Sequence, residues 1–289
     1  MKRLKRQERQ NRQIGQKSQK RQSGQKSQKR QSAQKGQKRQ FTLPQCYAHR
    51  GYYDKPTIPE NSLAAFRRAV EFGLPSEFDV HLIADGSLVV FHDDDLERET
   101  GVKGSIEAYD ITNLRKLRLE GTDEMIPTFD EVLEVYEDSG IPLLIELKCV
   151  KGNGKALAKA VAERLDTYRG EYVIESFDPR AVNEYRKLRP DTIRGQLSQD
   201  FFKNSEGLPF YQVVMLTSLV LNKITKPDFI AYKFEDRTNP VLRTLISRRG
   251  YSEVWWTVKT PDEFREAQNK GSIPIFEHIR PEDLKELLK

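Results

Sequence analysis

The sequence predicts an α/β fold: a (β/α)8 TIM barrel with an insertion after the second strand, preceded by a disordered basic arm. From residue 46 onward, short apolar segments alternate with amphipathic segments of helical length, which is typical of βα units around a parallel sheet. An Asp-Gly turn separates two of the nine strand candidates and leaves eight for a barrel. Residues 41–289 also have the usual length of one such barrel.

The first 40 residues differ sharply in composition from the rest. They hold 15 Lys or Arg and one acid, so of the totals of 49 and 43, residues 41–289 keep 34 bases and 42 acids. The stretch GQKSQKRQS at Gly15–Ser23 recurs at Gly24–Ser32. Because such a repeat cannot bury enough apolar surface to fold, we predict a disordered arm over 1–40 and one domain over 41–289. The arm either contacts an anionic surface (lipid, RNA or wall polymer) or is a dispensable extension.

Nine segments are predicted as strands because each is short, apolar and bounded by polar or turn residues. In order they are Cys46–Arg50, Ser76–Leu82, Leu88–His92, Pro142–Lys148, Tyr172–Ser176, Thr192–Gln196, Asp228–Tyr232, Glu253–Val258 and Ile273–Glu277. The turn at Asp85-Gly86 is too short for a parallel crossover, so Leu88–His92 is predicted to run antiparallel to Ser76–Leu82. The other eight strands form the barrel.

Helices are predicted between most of these strands, over Ser62–Phe72, Phe129–Ser139, Lys155–Tyr168, Pro179–Leu188, Pro240–Arg249 and Pro261–Lys270. Asp178, Thr260 and Arg280 each precede a proline that fits the first helical position, and the first two are good N-cap residues. Residues 93–126 are too many for an ordinary barrel loop. We therefore predict an insertion over about residues 83–126 that forms part of the barrel mouth.

Acidic and basic side chains occur in pairs on two of the buried strands. Alternation along a strand puts Glu77 on the same face as Asp79, and Glu146 on the same face as Lys148. Carboxylates gathered at strand ends repel one another unless a cation lies between them, so this pattern indicates a bound divalent metal. Hard oxygen donors favour Mg²⁺ or Ca²⁺ over Zn²⁺.

Two histidines, His49 and His92, lie at the ends of strands that flank these carboxylates. Cleavage of a phosphodiester needs a base to activate the nucleophile and an acid to protonate the leaving alkoxide, and imidazoles perform both roles near neutral pH. We therefore interpret both histidines as catalytic, without assigning the acid and the base. His81 shares the face of Glu77 and Asp79 and is interpreted as a structural or supporting residue.

Several ordered motifs resemble the glycerophosphodiester phosphodiesterase family, in its bacterial type. They are Ala48–Gly51, PENSLAAF at Pro59–Phe66, Glu77–Val80, DGSLVVFHD at Asp85–Asp93, IPT at Ile126–Thr128, LIELK at Leu144–Lys148, ESFDP at Glu175–Pro179 and WTV at Trp256–Val258. The resemblance implies a (β/α)8 barrel with an insertion after the second strand. It also implies metal ligands at Glu77, Asp79 and Glu146 and catalytic histidines at His49 and His92.

Six further residues are candidates for substrate binding. Arg50 and Lys148 would neutralise the phosphate, unless they only pair with the carboxylates. The resemblance places Glu60 and Asn61 in the site, although Asn61 is equally suited to cap the following helix. Phe177 and Trp256 would form an apolar wall for a glycerol skeleton, unless they are core residues.

The predicted activity is hydrolysis of a glycerophosphodiester, such as glycerophosphocholine, to glycerol 3-phosphate and an alcohol. Two alternatives stay open: a lysophospholipase D-like phosphodiesterase, which needs an apolar groove that the charged insertion does not offer, and a non-catalytic protein that binds anionic surfaces. The two cysteines, Cys46 and Cys149, lie in apolar runs, so we expect both to be buried, reduced thiols. With no apolar run of ~20 residues and no signal sequence, we expect a soluble cytoplasmic protein.

Overall fold

The computed structural model describes residues 42–205 and 207–289, so the predicted disordered arm, 1–40, lies outside the described residues. The described strands are β1 (Tyr47–Ala48), β2 (Ser76–Leu82), β3 (Leu88–Val90), β4 (Leu143–Leu147), β5 (Tyr172–Ser176), β6 (Arg194–Ser198), β7 (Phe229–Lys233), β8 (Ser252–Val258) and β9 (Ile273–Phe276). The helices are α1 (Leu63–Glu71), α2 (Glu97–Thr100), α3 (Ile111–Leu114), α4 (Phe129–Tyr136), α5 (Gly154–Leu165), α6 (Pro179–Leu188), α7 (Phe210–Thr217), α8 (Asn222–Thr225), α9 (Pro240–Arg249), α10 (Pro261–Asn269) and α11 (Pro281–Leu287).

Eight of the strands form a closed parallel barrel, as predicted. The sheet runs β1-β9-β8-β7-β6-β5-β4-β2, and β1 pairs with β2 to close it. β3 is antiparallel to β2, with Val80 opposite Val90, so the Asp-Gly turn does form a hairpin. The hairpin therefore removes β3 from the barrel, and the predicted count of eight is confirmed.

Local side-chain chemistry fixes where the helices begin. Thr128 and Thr260 form reciprocal capping boxes with Glu131 and Glu263, and the Asp178 carboxylate accepts the amide hydrogen bond of Arg180. Arg280 provides no side-chain cap, as its chemistry predicts.

Several details of the sequence prediction are wrong. β1 and β3 are shorter than predicted, so His49 and His92 follow their strands rather than lying in them. β6 begins at Arg194 rather than Thr192, because residues 189–192 form a turn closed by the Thr192 amide on the Arg189 carbonyl. The helices α7 and α8, between β6 and β7, were not predicted, because their apolar residues do not follow a helical period.

The hydrophobic core lies between the barrel and its helices. Phe78 and Val80 on β2 and Ile145 on β4 pack outward against helix residues such as Phe66 and Phe129, and all five are at most 1% exposed. Because side chains alternate along each strand, this outward apolar face turns the intervening polar residues of β2 and β4 into the barrel. The core therefore positions the polar cluster.

The insertion has a small hydrophobic core of its own. Ile83, Val89 and Phe91 beside the hairpin pack with Leu96, Ile106, Leu114, Leu119 and Ile126. Because these apolar side chains are buried in that core, the insertion presents no long apolar face, as predicted.

Among the described residues, no helix has the length and apolar character that crossing a membrane requires. Cys46 and Cys149 are free cysteines, and burial raises the pKa of each thiol to about 12. Both thiols are therefore protonated at neutral pH and unreactive.

Candidate active site

Three carboxylates from the neighbouring strands β2 and β4 meet inside the barrel. The parallel register places Asp79 beside Glu146, and Glu77 lies two residues earlier on β2. One oxygen of each of Glu77, Asp79 and Glu146 lies within 4.8 Å of the others, and all three residues are buried. That spacing allows a single cation to contact all three oxygens, since metal–oxygen distances for Mg²⁺ and Ca²⁺ are roughly 2.0–2.6 Å.

The electrostatics of this triad also fit a cation. Burial, together with the neighbouring carboxylates Asp79, Glu146 and Glu175, raises the pKa of Glu77 well above its usual value. Burial and Asp79 raise the pKa of Glu146 to about 7, although Lys148 acts in the opposite direction. Among the described residues, Arg50 and Lys148 lie at the triad, yet the pKa values of Glu77 and Glu146 stay raised, so the three carboxylates suit a divalent metal.

Asp79 behaves differently because cationic groups surround it. Burial alone would raise its pKa, but His92, Lys148 and Arg50 lower it below the usual range. The Asn61 amide also donates a 2.9 Å hydrogen bond to Oδ2 of Asp79. Asp79 is therefore the member of the triad that ionises most readily.

His49 follows β1 and is held by a carboxylate that the sequence analysis missed. Its Nδ1 lies 2.9 Å from Oε2 of Glu277, directly after β9, and its Nε2 lies 3.9 Å from Glu77. Burial and Arg50 lower the pKa of His49, whereas Glu277 raises it. When Nδ1 donates a hydrogen bond to Glu277, Nε2 is left facing the triad.

His92 lies two residues after the end of β3, within the insertion. Its Nδ1 lies 2.5 Å from Asp93, whose other oxygen accepts a hydrogen bond from Arg98, and Arg98 also bonds Glu60. Its side chain is 30% exposed, against 13% for His49. Burial lowers the pKa of His92 while Asp79 raises it.

The two cations predicted to bind phosphate lie at the triad. Lys148 Nζ is 3.3 Å from Glu146 and 3.7 Å from Asp79, and Arg50 Nε is 3.7 Å from Asp79. Arg50 also bonds Glu60, whose carboxylate additionally contacts Lys55 and Arg98. Burial would raise the pKa of Glu60, but these cations lower it to about 2.

Asn61 does not cap a helix, so that alternative is wrong. Ser62 is the N-cap of α1 and accepts a hydrogen bond from the Ala65 amide. Asn61 has a φ of 53°, in the left-handed region, and its side chain turns to Asp79 instead. The dipeptide Glu60-Asn61 thus supports Arg50 and Asp79.

The remaining candidates lie around this centre. Phe177 and Trp256, after β5 and near the end of β8, meet edge to face with ring centroids 5.5 Å apart. His81 is fully buried, and its Nδ1 lies 3.9 Å from Glu107 in the insertion. His81 therefore faces the insertion, in keeping with a structural role.

The sequence analysis gave no site role to Glu277, the end of a predicted strand, or to Glu175, the first residue of the ESFDP motif. Glu277 is 228 residues from His49 and reaches it because β1 and β9 are neighbours in the closed barrel. Glu175 lies opposite Glu146 in the β4–β5 register and is buried, and burial with Glu146 and Asp79 raises its pKa well above the usual value. The available signal was an acidic residue at or directly after the carboxyl end of a predicted strand, as Glu175 is on β5 and Glu277 is after β9.

Comparison with known proteins places this arrangement in a family. The sequence profile of the glycerophosphoryl diester phosphodiesterase family matches residues 49–278. A glycerophosphodiester phosphodiesterase of Caldanaerobacter subterraneus is 34% identical over 165 residues, which is 53% of this chain and 65% of that protein. Human lysophospholipase D is 33% identical over 127 residues, 39% of each chain.

Solved structures agree in fold. A phosphodiesterase of Oleispira antarctica, in complex with the product sn-glycerol-3-phosphate, superposes with a TM-score of 0.70 at 25% identity and covers 85% of this chain and 97% of its own. A glycerophosphodiester phosphodiesterase of Thermotoga maritima superposes with a TM-score of 0.64 at 26% identity, covering 86% of this chain and 100% of its own. Since the family profile spans most of the chain and includes every residue of the carboxylate and histidine cluster, this chain belongs to the glycerophosphoryl diester phosphodiesterase family.

Proposed function

We propose that this chain hydrolyses glycerophosphodiesters to sn-glycerol 3-phosphate and an alcohol, with a divalent metal, Mg²⁺ or Ca²⁺, and with His49 and His92 as general acid and base. One observation carries the proposal: three buried carboxylate oxygens within 4.8 Å, at the mouth of a barrel of this family, are flanked by two histidines and two cations. The Oleispira relative that holds sn-glycerol-3-phosphate supports the substrate class.

Each residue has a distinct part in this mechanism. Glu77, Asp79 and Glu146 would hold the metal, which supplies Lewis-acid stabilisation of the phosphate charge when bound. Arg50 and Lys148 bind the non-bridging phosphate oxygens and stabilise the negative charge that develops on them. Asn61 orients Asp79, and Glu60 holds the Arg50 guanidinium in place.

The histidines transfer protons at their outer nitrogens. Asp93 occupies Nδ1 of His92 and Glu277 occupies Nδ1 of His49, so the Nε2 atoms face the substrate. One Nε2 accepts the proton of the attacking group, either water or the glycerol 2-hydroxyl, and the other donates a proton to the leaving alkoxide. Phe177 and Trp256 provide an apolar wall for the glycerol carbons.

A substrate panel tests the proposal. Release of glycerol 3-phosphate from glycerophosphocholine and glycerophosphoethanolamine is expected with Mg²⁺ or Ca²⁺ and not after chelation. Adding Mg²⁺ or Ca²⁺ back should restore the release of glycerol 3-phosphate. A chelated enzyme with full activity would exclude the metal mechanism, and faster turnover of lysophosphatidylcholine than of glycerophosphocholine would favour the lysophospholipase D alternative. Activity retained on a substrate without the glycerol 2-hydroxyl would exclude attack by that hydroxyl through a cyclic phosphate.

Replacing Glu277 with glutamine is expected to lower kcat about 10–100-fold, because a neutral amide neither fixes the His49 tautomer nor stabilises its protonated form. Since Glu277 raises the pKa of His49, the limb of the pH–rate profile that belongs to His49 should also move to lower pH. The matched control is Tyr53→Phe, which removes the 2.8 Å hydrogen bond of the tyrosine to Glu277 and keeps the carboxylate. Equal losses in both variants, or an unmoved pH limb in Glu277→Gln, would contradict the orienting role.

We propose that the basic arm takes no part in catalysis. Deleting residues 1–40 should leave kcat and KM for soluble substrates unchanged and weaken binding to anionic vesicles, RNA or wall polymer in a salt-dependent way. A large loss of kcat after this deletion would show that the arm belongs to the site.

A cytoplasmic location is proposed from the two free cysteines. Cell fractionation with an antibody to the chain checks it, and recovery outside the cytoplasm would contradict it.

A further inference from the structure

One lysine at the mouth of the barrel has no charged partner. Lys233 is the last residue of β7 and is partly buried, and its ammonium forms no ion pair or hydrogen bond with any described residue. The two cations of the proposed mechanism differ from it, because Arg50 pairs with Glu60 and Lys148 pairs with Glu146. A partly buried ammonium has lost some of its hydration, and a ligand with a negative charge would compensate that loss.

Strand alternation turns Lys233 into the barrel. The preceding residue, Tyr232, is buried with Leu242 of α9 in the core outside the barrel, so Lys233 belongs to the opposite face of β7. In the parallel register Lys233 lies beside Trp256 of β8, and Trp256 contacts Phe177 at 5.5 Å between ring centroids. Lys233 therefore follows the aromatic wall of the site around the mouth.

The barrel geometry gives the height of Lys233 relative to the carboxylates. Followed across four steps from β2 to β7, the register leads from Asp79 to Phe229. A (β/α)8 barrel staggers by about one residue per strand, so the residue level with Asp79 lies about four positions after Phe229, which is Lys233. The contact between Phe177 and Trp256, three strands apart, fits a stagger of the same sign. Since β2 and β7 lie opposite each other in the ring of eight strands, Lys233 faces Asp79 across the barrel.

The width of the barrel lets one substrate contact both groups. Strands about 4.8 Å apart and tilted by about 36° enclose a ring roughly 15 Å across between backbones. Side chains project into this ring from both sides, which leaves a gap that a small phosphodiester can span. With its phosphate at the triad, such a diester extends one of its two arms toward β7.

The acids that follow β6 and β7 have other partners. Asp236 pairs with Lys203 at 2.6 Å and accepts the hydrogen bond of the Asp200 amide. Asp200 in turn accepts the hydrogen bond of the Phe202 amide. Neither carboxylate forms an ion pair with Lys233, so the lysine keeps its charge available for a ligand.

We propose that Lys233 selects diesters whose leaving alcohol carries an anionic group, a carboxylate or a phosphate. This inference deepens the proposed function and rests on it. The glycerol arm carries only hydroxyl groups, and Arg50 and Lys148 already bind the phosphate, so the charge of Lys233 finds its partner on the second arm. An ammonium there forms a charge-assisted hydrogen bond with an anion and repels the cation of choline or ethanolamine.

Two substrate pairs test the proposal. Glycerophosphoserine and glycerophosphoethanolamine differ only in one carboxylate on the leaving alcohol, so the ratio of their kcat/KM values measures the preference. The wild type should favour glycerophosphoserine. A second pair, the glycerophosphodiester of ethylene glycol with and without a terminal phosphate on that arm, shows whether a phosphate is preferred to a carboxylate.

Lys233→Met keeps the length of the side chain and removes its charge. It should lower the preference for the anionic member of a pair about 10–100-fold. The loss should come mainly from a higher KM for the anionic substrate, because the contact lies away from the reacting atoms. The kcat/KM for glycerophosphoethanolamine should not fall. Lys233→Arg retains the charge and should keep most of the preference.

The matched control is Lys203→Met, which removes a positive charge at the same end of the barrel. Lys203 is 62% exposed and paired with Asp236, so this change should alter the ratio less than about twofold. Thermal unfolding checks that all variants are folded.

The proposal is overturned if the wild type favours the anionic member of neither pair, or if Lys203→Met lowers the ratio as much as Lys233→Met. It is also overturned if Lys233→Met impairs every substrate equally, since the lysine would then bind the phosphate or the glycerol that all of them share. Hydrolysis of these diesters without a preference contradicts this inference alone. If the wild type hydrolyses none of them, the proposed function fails and this inference fails with it.

Discussion

Replacing Glu146 with glutamine is expected to lower kcat for glycerophosphodiester hydrolysis by a factor of about 10³ or more. The amide keeps the shape of the side chain but removes one of three anionic ligands from a cluster whose oxygens lie within 4.8 Å. Calorimetric titration with Mg²⁺ and Ca²⁺ should show a matching loss of metal affinity, while the circular dichroism spectrum stays native. Activity of this variant near the wild-type level would exclude Glu146 as a ligand.

The same substitution should stabilise the metal-free protein at high pH. Burial beside Asp79 raises the pKa of Glu146 from 4.5 to about 7, so ionising it in the folded state costs free energy that the unfolded state does not pay. At pH 8 in chelator, Glu146→Gln should therefore exceed the wild type in unfolding free energy by up to about 3 kcal/mol. As pH falls from about 7 toward 4.5, folded Glu146 takes up a proton and the wild type recovers this difference.

Urea unfolding with chelator at pH 5 and pH 8 measures both values. Glu134→Gln is the matched control, because Glu134 lies on the exposed face of α4. It should change neither activity nor the pH dependence of stability. A stability difference for Glu146→Gln that is the same at both pH values would contradict the raised pKa.

Replacing His49 or His92 with alanine is expected to lower kcat about 10²–10⁴-fold on natural substrates. The two losses should differ on a substrate whose leaving group is 4-nitrophenol, because that phenolate departs without a general acid. The variant that lacks the acid should recover most of its rate on this substrate, and the variant that lacks the base should not. Steady-state kinetics of both variants on both substrates therefore assigns the two roles.

His278→Ala provides the control for this pair, since His278 lies at the rim with a side chain that is 56% exposed. It should change kcat less than about threefold. Recovery of both variants on the nitrophenyl substrate, or of neither, would contradict a division into one acid and one base. Thermal unfolding of the three variants checks that the changes do not come from loss of fold.

The general arrangement of the molecule followed from local sequence patterns. Short apolar runs bounded by polar or turn residues located all nine strands, and the short Asp-Gly turn separated β3 from the barrel. The same alternation brought Glu77 and Asp79 to one face, and the parallel register then placed Glu146 beside Asp79. The strands, the hairpin and the shared face of Glu77 and Asp79 depend on residues that are near one another in the chain, so the sequence contains that information directly, whereas the position of Glu146 beside Asp79 depends on the pairing of two distant strands.

Other parts of the site depend on contacts between distant segments. Glu277 reaches His49 only because the barrel closes between β1 and β9, and Arg98 of the insertion reaches Glu60 across 38 residues of chain. Asn61 and Ser62 are both good capping residues, and the left-handed backbone of Asn61 decided that Ser62 caps the helix while Asn61 binds Asp79. Neither spacing nor composition distinguishes these outcomes.

The exposure of apolar residues between β6 and β7 could not be predicted from the sequence either. Its composition is that of a buried helix, yet only the packing of α7 and α8 against the barrel reveals which apolar residues remain in water. The sequence by itself determined the barrel and the family resemblance, and it predicted the carboxylates and histidines that the structure brings together, because strand periodicity and motif order are local properties. Only the tertiary structure decided that Glu277 is the partner of His49 and which apolar residues of α7 are exposed, because both arise from closure of the barrel and from packing between segments distant in the chain.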